Sequence, residues 1–158
     1  MIATQSWVVQ GLVACGFTDS EIRCGTEIHP PIYLLQRAGY KGGSRAYHFE
    51  WERFGPWSED LGREYNEMST PDLASIKECP PEELLVVAER INPLLNPPAR
   101  SLLDRHTWLM LVASVEFLVT QSKQFSDNHS DRVSLIANRF SAEQVQMAKL
   151  ALENARLL

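Results

Sequence analysis

Several features that usually announce chemistry or location are scarce in these 158 residues. Cysteine occurs three times, as Cys15, Cys24 and Cys79. That count is odd and contains no CxxC spacing, so reduced thiols of a cytosolic protein are the simplest reading. The four histidines are scattered, and no two stand at the helical spacing of a metal pair. No metal and no cofactor is expected. Long apolar runs are also missing: the stretch Trp7 to Cys15 is interrupted by Gln10 and Gly11, and none approaches the about 18 residues that span a bilayer. Met1 to Gln5 lacks the basic residues that open a secretory signal, so the reading is a cytoplasmic protein with no membrane partner. Positive charge is in deficit. The formal net charge is -5, which disfavours a sequence-blind grip on nucleic-acid backbones. Neither an internal repeat nor a low-complexity segment occurs.

What remains is an ordinary globular composition, 44% hydrophobic and 22% charged. A chain of this length fits one domain, 1–158, with its most linker-like point at Asn96-Pro97-Pro98. The stretch from Arg45 to Leu61 organises the pattern. Tyr47, Phe49 and Trp51 alternate with His48, Glu50 and Glu52, the period of two that marks a strand with one apolar face. Gly55-Pro56 then reads as a corner into a helix that Ser58 caps, with Glu59 and Asp60 at the positive end of its dipole.

Helices account for most of the rest. A short buried helix is expected over Ser6 to Ala14, ending near Gly16. Thr18-Asp19-Ser20 offers caps for a turn through Ile22. His29-Pro30-Pro31 opens a helix to about Ala38, with Ile32, Leu35 and Leu34 inward, and Gly39 ends it. Thr70-Pro71-Asp72 and Pro80-Pro81-Glu82-Glu83 are further helix starts, the second closed by Asn92-Pro93. Arg100 to about Ser122 is the longest helical segment and carries apolar groups on more than one face, as a helix in the middle of a bundle would. Phe125 to Ser130 reads as a polar loop and Asp131 to Ala137 as a short helix. Ser141 with Gln144 forms a capping box for the last helix. The fold class is therefore mainly α: a single helical domain with one short strand or small hairpin, a winged-helix-like first half and a long central helix towards the C-terminus.

The order IYLLQRAGY, YHFEWERFGPWSEDL, WLMLVASVEFLV and FSAEQVQMAKLAL resembles the YwgA-type and SocA-like group, whose core has been called the Panacea domain. Leu35-Gln36, Phe54 to Ser58 and Ala113-Ser114 occupy the places of that group's Leu-Gln helix, its Gly-Pro-aromatic-Ser turn and its small-residue step. Two departures stand out. Many relatives carry Gln-Lys where this chain has His29-Pro30, and Thr70 to Glu83 is acidic and broken by proline where they have a clearer hairpin. The resemblance implies antitoxin-like or adaptor-like behaviour towards another protein, in phage defence or a mobile-element complex, without an enzymatic activity.

The residues themselves offer three readings. A non-enzymatic protein-binding module would use Trp51, Phe54, Trp57, Glu59 and Asp60, because aromatics concentrate at interfaces. The simpler alternative for Tyr47, Phe49 and Trp51 is burial in the core. From Glu59 to Glu89 nine acids face two bases, which would attract a basic partner. A nucleic-acid-binding subunit would instead use Arg37, Lys41, Arg45 and Arg53, a modest basic cluster that solvated surface charge also explains. The third reading is a small hydrolase or nuclease, for which no metal or nucleophile set can be assembled from the sequence. Asp104 and His106 are two apart on a helix and do not face each other; Asp104 reads instead as capping-box partner of Ser101. His48 and Glu50 share a strand face but have no nucleophile beside them.

Overall fold

The computed structural model describes residues 2–24, 28–40, 46–52, 55–68, 78–120, 134 and 136–158, with side chains for all of these except 2–6 and Cys24. Lys41, Arg45, Arg53, Phe54, the helix start at Thr70-Pro71-Asp72, the loop at Phe125 to Ser130 and most of the short helix expected over Asp131 to Ala137 lie outside the described residues. The architecture is mainly helical with one two-stranded antiparallel hairpin.

Among the described residues three helices precede the hairpin. Helix α1 covers Ile2–Ala14, four residues longer at its start than expected. Gly16, at φ 84°, ends it as anticipated. Helix α2, Asp19–Cys24, starts on a reciprocal cap: the Glu21 amide donates to Thr18 Oγ1 at 3.2 Å and the Thr18 amide to Glu21 Oε1 at 3.0 Å. Helix α3, His29–Arg37, carries prolines in its first turn and ends before Gly39 at φ 107°. Its Ile32, Leu34 and Leu35 are fully buried, as expected. A Cβ at Gly11 of α1 would stand 3.0 Å from Leu35 Cδ1, so the bare glycine lets α1 and α3 approach.

The aromatic segment departs from the expected strand. Among the described residues Glu50–Trp51 (β1) pairs with Pro56–Trp57 (β2), in the register Glu50 opposite Trp57 and Trp51 opposite Pro56. Gly55-Pro56 is therefore a turn into a second strand, where a strand-to-helix corner was expected. Upstream of β1, residues 46–49 belong to no strand among the described residues, and a side chain bonds the backbone there. Gln36 Oε1 accepts the Tyr47 amide at 2.7 Å while Gln36 Nε2 donates to the Tyr47 carbonyl at 3.0 Å. The period of two is obeyed all the same. Tyr47 is buried, and Phe49 and Trp51 pack half-buried on the core, while His48, Glu50 and Glu52 face outward. Burial, the simpler reading of that row, accounts for it.

Helix α4, Glu59–Asn66, begins where predicted, with Ser58 Oγ accepting the Leu61 amide at 3.3 Å. Helix α5, Glu82–Arg90, starts after Pro81. Asn92-Pro93 does not simply close it; it opens a further turn, α6, Asn92–Leu95. Proline is compatible with the first turn of a helix as well as with the end of one.

The expected helix from Arg100 is two elements. A 3-10 turn at Ala99–Ser101 leads through Leu102, at φ 60°, into helix α7, Arg105–Thr120. Asp104 is the start of that helix, accepting the Thr107 amide at 2.7 Å, so it caps α7 and is not the partner of Ser101. That hydrogen bond holds the Asp104 carboxyl below its ordinary range. Ser101 Oγ donates to the Pro98 carbonyl at 2.7 Å. Helix α7 packs against α3, α6, β2 and the last helix, α8 (Ala142–Asn154), and from Trp108 to Leu118 nearly every side chain is buried. This is the central position its all-round apolar pattern predicted. The Ser141–Gln144 capping box of α8 is present in both directions. Leu94 and Leu95 before Asn96, and Trp108 and Leu109 after it, belong to one core, and Trp108 Nε1 donates to the Leu94 carbonyl at 2.9 Å.

Candidate functional site

The hairpin and the start of α4 form an open cleft of about 200 Å³ lined by His48, Glu50, Glu52, Trp57, Glu59 and Asp60. Each element contributes for a local reason. The outward half of the alternation delivers His48, Glu50 and Glu52. The Ser58 cap delivers Glu59 and Asp60, which stand in the first turn of α4 where carboxylates are favoured. Between them stands Trp57, with 44% of its surface open although it is among the largest apolar side chains.

Trp57 is held from behind. Its indole stacks on the His29 imidazole with ring centroids 3.7 Å apart and planes 19° from parallel. His29 is buried, and its Nδ1 accepts the Ser58 amide at 3.1 Å. Burial pushes the His29 imidazole down to about 4, so at neutral pH it is uncharged and able to accept. The same residue thus orders Trp57 and the N-cap of α4.

Charge in the cleft is unevenly answered. His48 Nε2 lies 3.2 Å from Glu50 Oε1, and Arg63 Nη2 pairs with Asp60 Oδ1 at 3.0 Å. Glu52 and Glu59 have no ion-pair partner among the described residues.

A second polar cluster lies inside. Glu116, in the middle of α7, is fully buried. Its Oε1 accepts the Tyr33 hydroxyl, and its Oε2 accepts Arg37 Nε at 2.8 Å. Burial first, and then the neighbouring Glu116 carboxyl, raises the Tyr33 phenol. Burial works against the Arg37 charge, yet the hydrogen bond and charge of Glu116 outweigh it and hold the guanidinium more firmly protonated.

Elsewhere on α7 the Gly-Pro turn meets the Ala-Ser step. Gly55 has φ 114°, and a Cβ there would fall 2.8 Å from Ser114 Oγ. Two short motifs far apart in the chain are one contact in space.

Of the residues nominated for partner binding, Trp57, Glu59 and Asp60 converge on the cleft. Trp51 does not. It is half-buried, its ring 5.9 Å from that of Phe117, and serves the core. Of the basic set, Arg37 is the one described, and its Nε is bonded to Glu116 instead of standing free for a phosphate. His106 turns away from Asp104 towards Glu21, with Nε2 3.4 Å from Oε2. Cys15 is buried, and desolvation pushes its thiol up to about 12, out of the range of a nucleophile. Among the described residues no group of three or more His, Cys, Asp or Glu could hold a metal ion, and no helix is long and apolar enough to cross a membrane.

His29, Tyr33 and Glu116 escaped the sequence reading. Glu116 had a visible signal, a single acid inside the apolar run Trp108 to Val119. Nothing in the sequence pairs it with Tyr33 and Arg37. His29 had none, since a histidine before two prolines reads only as a helix entrance. No family model, no curated protein and no solved structure matches the chain.

Proposed function

We propose that the chain is a non-enzymatic protein-binding module that engages another protein through the cleft between the hairpin and α4. The observation that carries this reading is Trp57. A large indole left 44% exposed, propped by a buried histidine and ringed by carboxylates, has the composition of an interface anchor. The resemblance to the YwgA-type and SocA-like group supports a finer version: an antitoxin-like or adaptor-like role in the cytoplasm, in phage defence or a mobile-element regulatory complex. The nucleic-acid alternative has less behind it, because Arg37 is engaged by Glu116 and the cleft is acidic.

The test is affinity purification of the tagged full chain from its native host at near-native levels, beside a Trp57→Ala variant shown by circular dichroism to be folded. A partner in stoichiometric amount with the wild type and absent with Trp57→Ala is the expected result. Recovery of the same proteins with both, or of none, overturns the reading.

A further inference from the structure

The cleft also says what kind of side chain fits it. We propose that it receives an arginine of the partner protein, its guanidinium laid on the Trp57 indole and its N–H groups directed at Glu52 and Glu59. This inference rests on the protein-binding reading above and narrows it.

Charge complementarity selects the occupant. Four carboxylates line the cleft, and two of them, Glu52 and Glu59, have no ion-pair partner among the described residues, whereas Glu50 lies beside the His48 imidazole and Asp60 pairs with Arg63. An anion or an acidic segment would meet four carboxylates. A purely apolar side chain would gain from Trp57 but would draw the carboxylates out of water with nothing to answer them. A metal ion would satisfy charge alone, and the described carboxylates do not converge tightly enough to hold one. The remaining feature to be matched is the indole. Its open surface attracts a cation through the ring quadrupole, and guanidinium is the cation that both stacks on a ring and presents a planar fork to carboxylates. Lysine offers a hydrated point charge and no plane. The stack on His29 fixes the indole in advance, so little side-chain freedom is lost when the guanidinium arrives. The cleft is about the size of one long side chain and not of a folded surface, which places a single residue of an extended segment in it.

The probes are three blocked peptides of one length, Gly-Ser repeats carrying two arginines, two lysines or two citrullines. Binding to the full chain is followed by the indole N–H signals of ¹⁵N-labelled protein. The chain has four tryptophans, so a Trp57→Phe variant identifies the signal that reports on the cleft. The arginine peptide is expected to shift the Trp57 signal, with affinity that falls as salt rises. Glu52→Gln combined with Glu59→Gln is expected to weaken it by about tenfold. The citrulline peptide, equal in shape and uncharged, should leave the signal in place. Equal responses to arginine and citrulline, or no loss in the double glutamine variant, overturn the proposal. Equal responses to arginine and lysine overturn the choice of guanidinium. A dimer of the unliganded chain that dissociates in the double glutamine variant puts a second copy in the cleft and overturns it too. Failure here is distinguishable from failure of the broader reading: a partner lost with Trp57→Ala but retained by the double glutamine variant removes the arginine and keeps the module. Arginine-peptide binding with no partner captured does the reverse.

Discussion

Two groups of carboxylates in this chain have opposite surroundings. Glu116 is fully enclosed and answered on both oxygens, by Tyr33 and by Arg37. Glu52 and Glu59 lie at the rim of an open cleft and are answered by no ion pair among the described residues. An acid inside a core is tolerated only when hydrogen-bonded and paired, so Glu116 reports on how α3 is locked to α7. Acids at a rim cost the folded state almost nothing, because water solvates them as well there as in the unfolded chain. They are free to be used on something else. The same residue type is therefore structural in one place and available in the other, and the distinction is burial.

The comparison breaks most visibly on the inner side. Arg37→Ala leaves Glu116 enclosed with one donor and is expected to cost about 3 kcal/mol, the lower end for a broken buried pair because Arg37 is itself 36% exposed. Urea denaturation measures this, and adding Glu116→Gln, which removes the acid but keeps an acceptor for Tyr33, should recover much of the loss. A change within about 0.5 kcal/mol for Arg37→Ala would mean the pair is ornamental.

Acid pH probes the boundary between the two regions, at His29. Its folded-state value of about 4 lies below the ordinary 6.5, so protons bind the unfolded chain more readily. Stability from this group is full above about 6.5 and falls as pH drops towards 4, by about 3 kcal/mol in all. Denaturation midpoints at pH 7, 5.5 and 4.5 should show the decline in the wild type, and a shallower one in His29→Asn. Parallel declines in the two proteins would remove His29 from the account.

Gly55→Ala comes next, at about 2 kcal/mol, from a backbone at φ 114° and the crowding of Ser114 Oγ. Adding Ser114→Ala separates the two causes, because it relieves the contact and leaves the backbone strain. Full rescue would assign the whole effect to packing, and no rescue would assign it to the backbone.

The smallest effect belongs to the rim. Glu52→Gln with Glu59→Gln is expected to move stability by less than about 0.5 kcal/mol, part of it from the α4 dipole, while the binding described above is weakened. A large loss of stability would show that these acids serve the fold after all, as Glu116 does.

Much of this molecule was legible one element at a time. Ser58, Ser141 with Gln144, and Gly16 and Gly39 mark their helix ends because a cap is a contact between residues three or four apart. The all-round apolar pattern of α7 announced its central place, and the period of two in Tyr47 to Glu52 sorted core from surface correctly. The extended pairing failed. Alternation specifies which face a side chain takes and not whether another strand lies alongside, so Gln36 could stand in for a strand without leaving a trace in the pattern. The start of α7 was misplaced because Ser101 and Asp104 both look like caps. The left-handed Leu102 between them decides for Asp104.

The amino-acid order by itself determined where α1, α3, α4 and α8 end or are capped, the central place of α7 and the presence of an acidic stretch beside an aromatic one, all consequences of short-range periodicity and local hydrogen bonding. Tertiary packing alone decided which charges are paired and which are left to solvent. It carried Arg37 to Glu116 across 79 positions, set Gly55 against Ser114, and put His29 behind Trp57. Burial is a property of the assembled whole, and whether a carboxylate anchors the core or waits at a rim depends on what the rest of the chain brings to it.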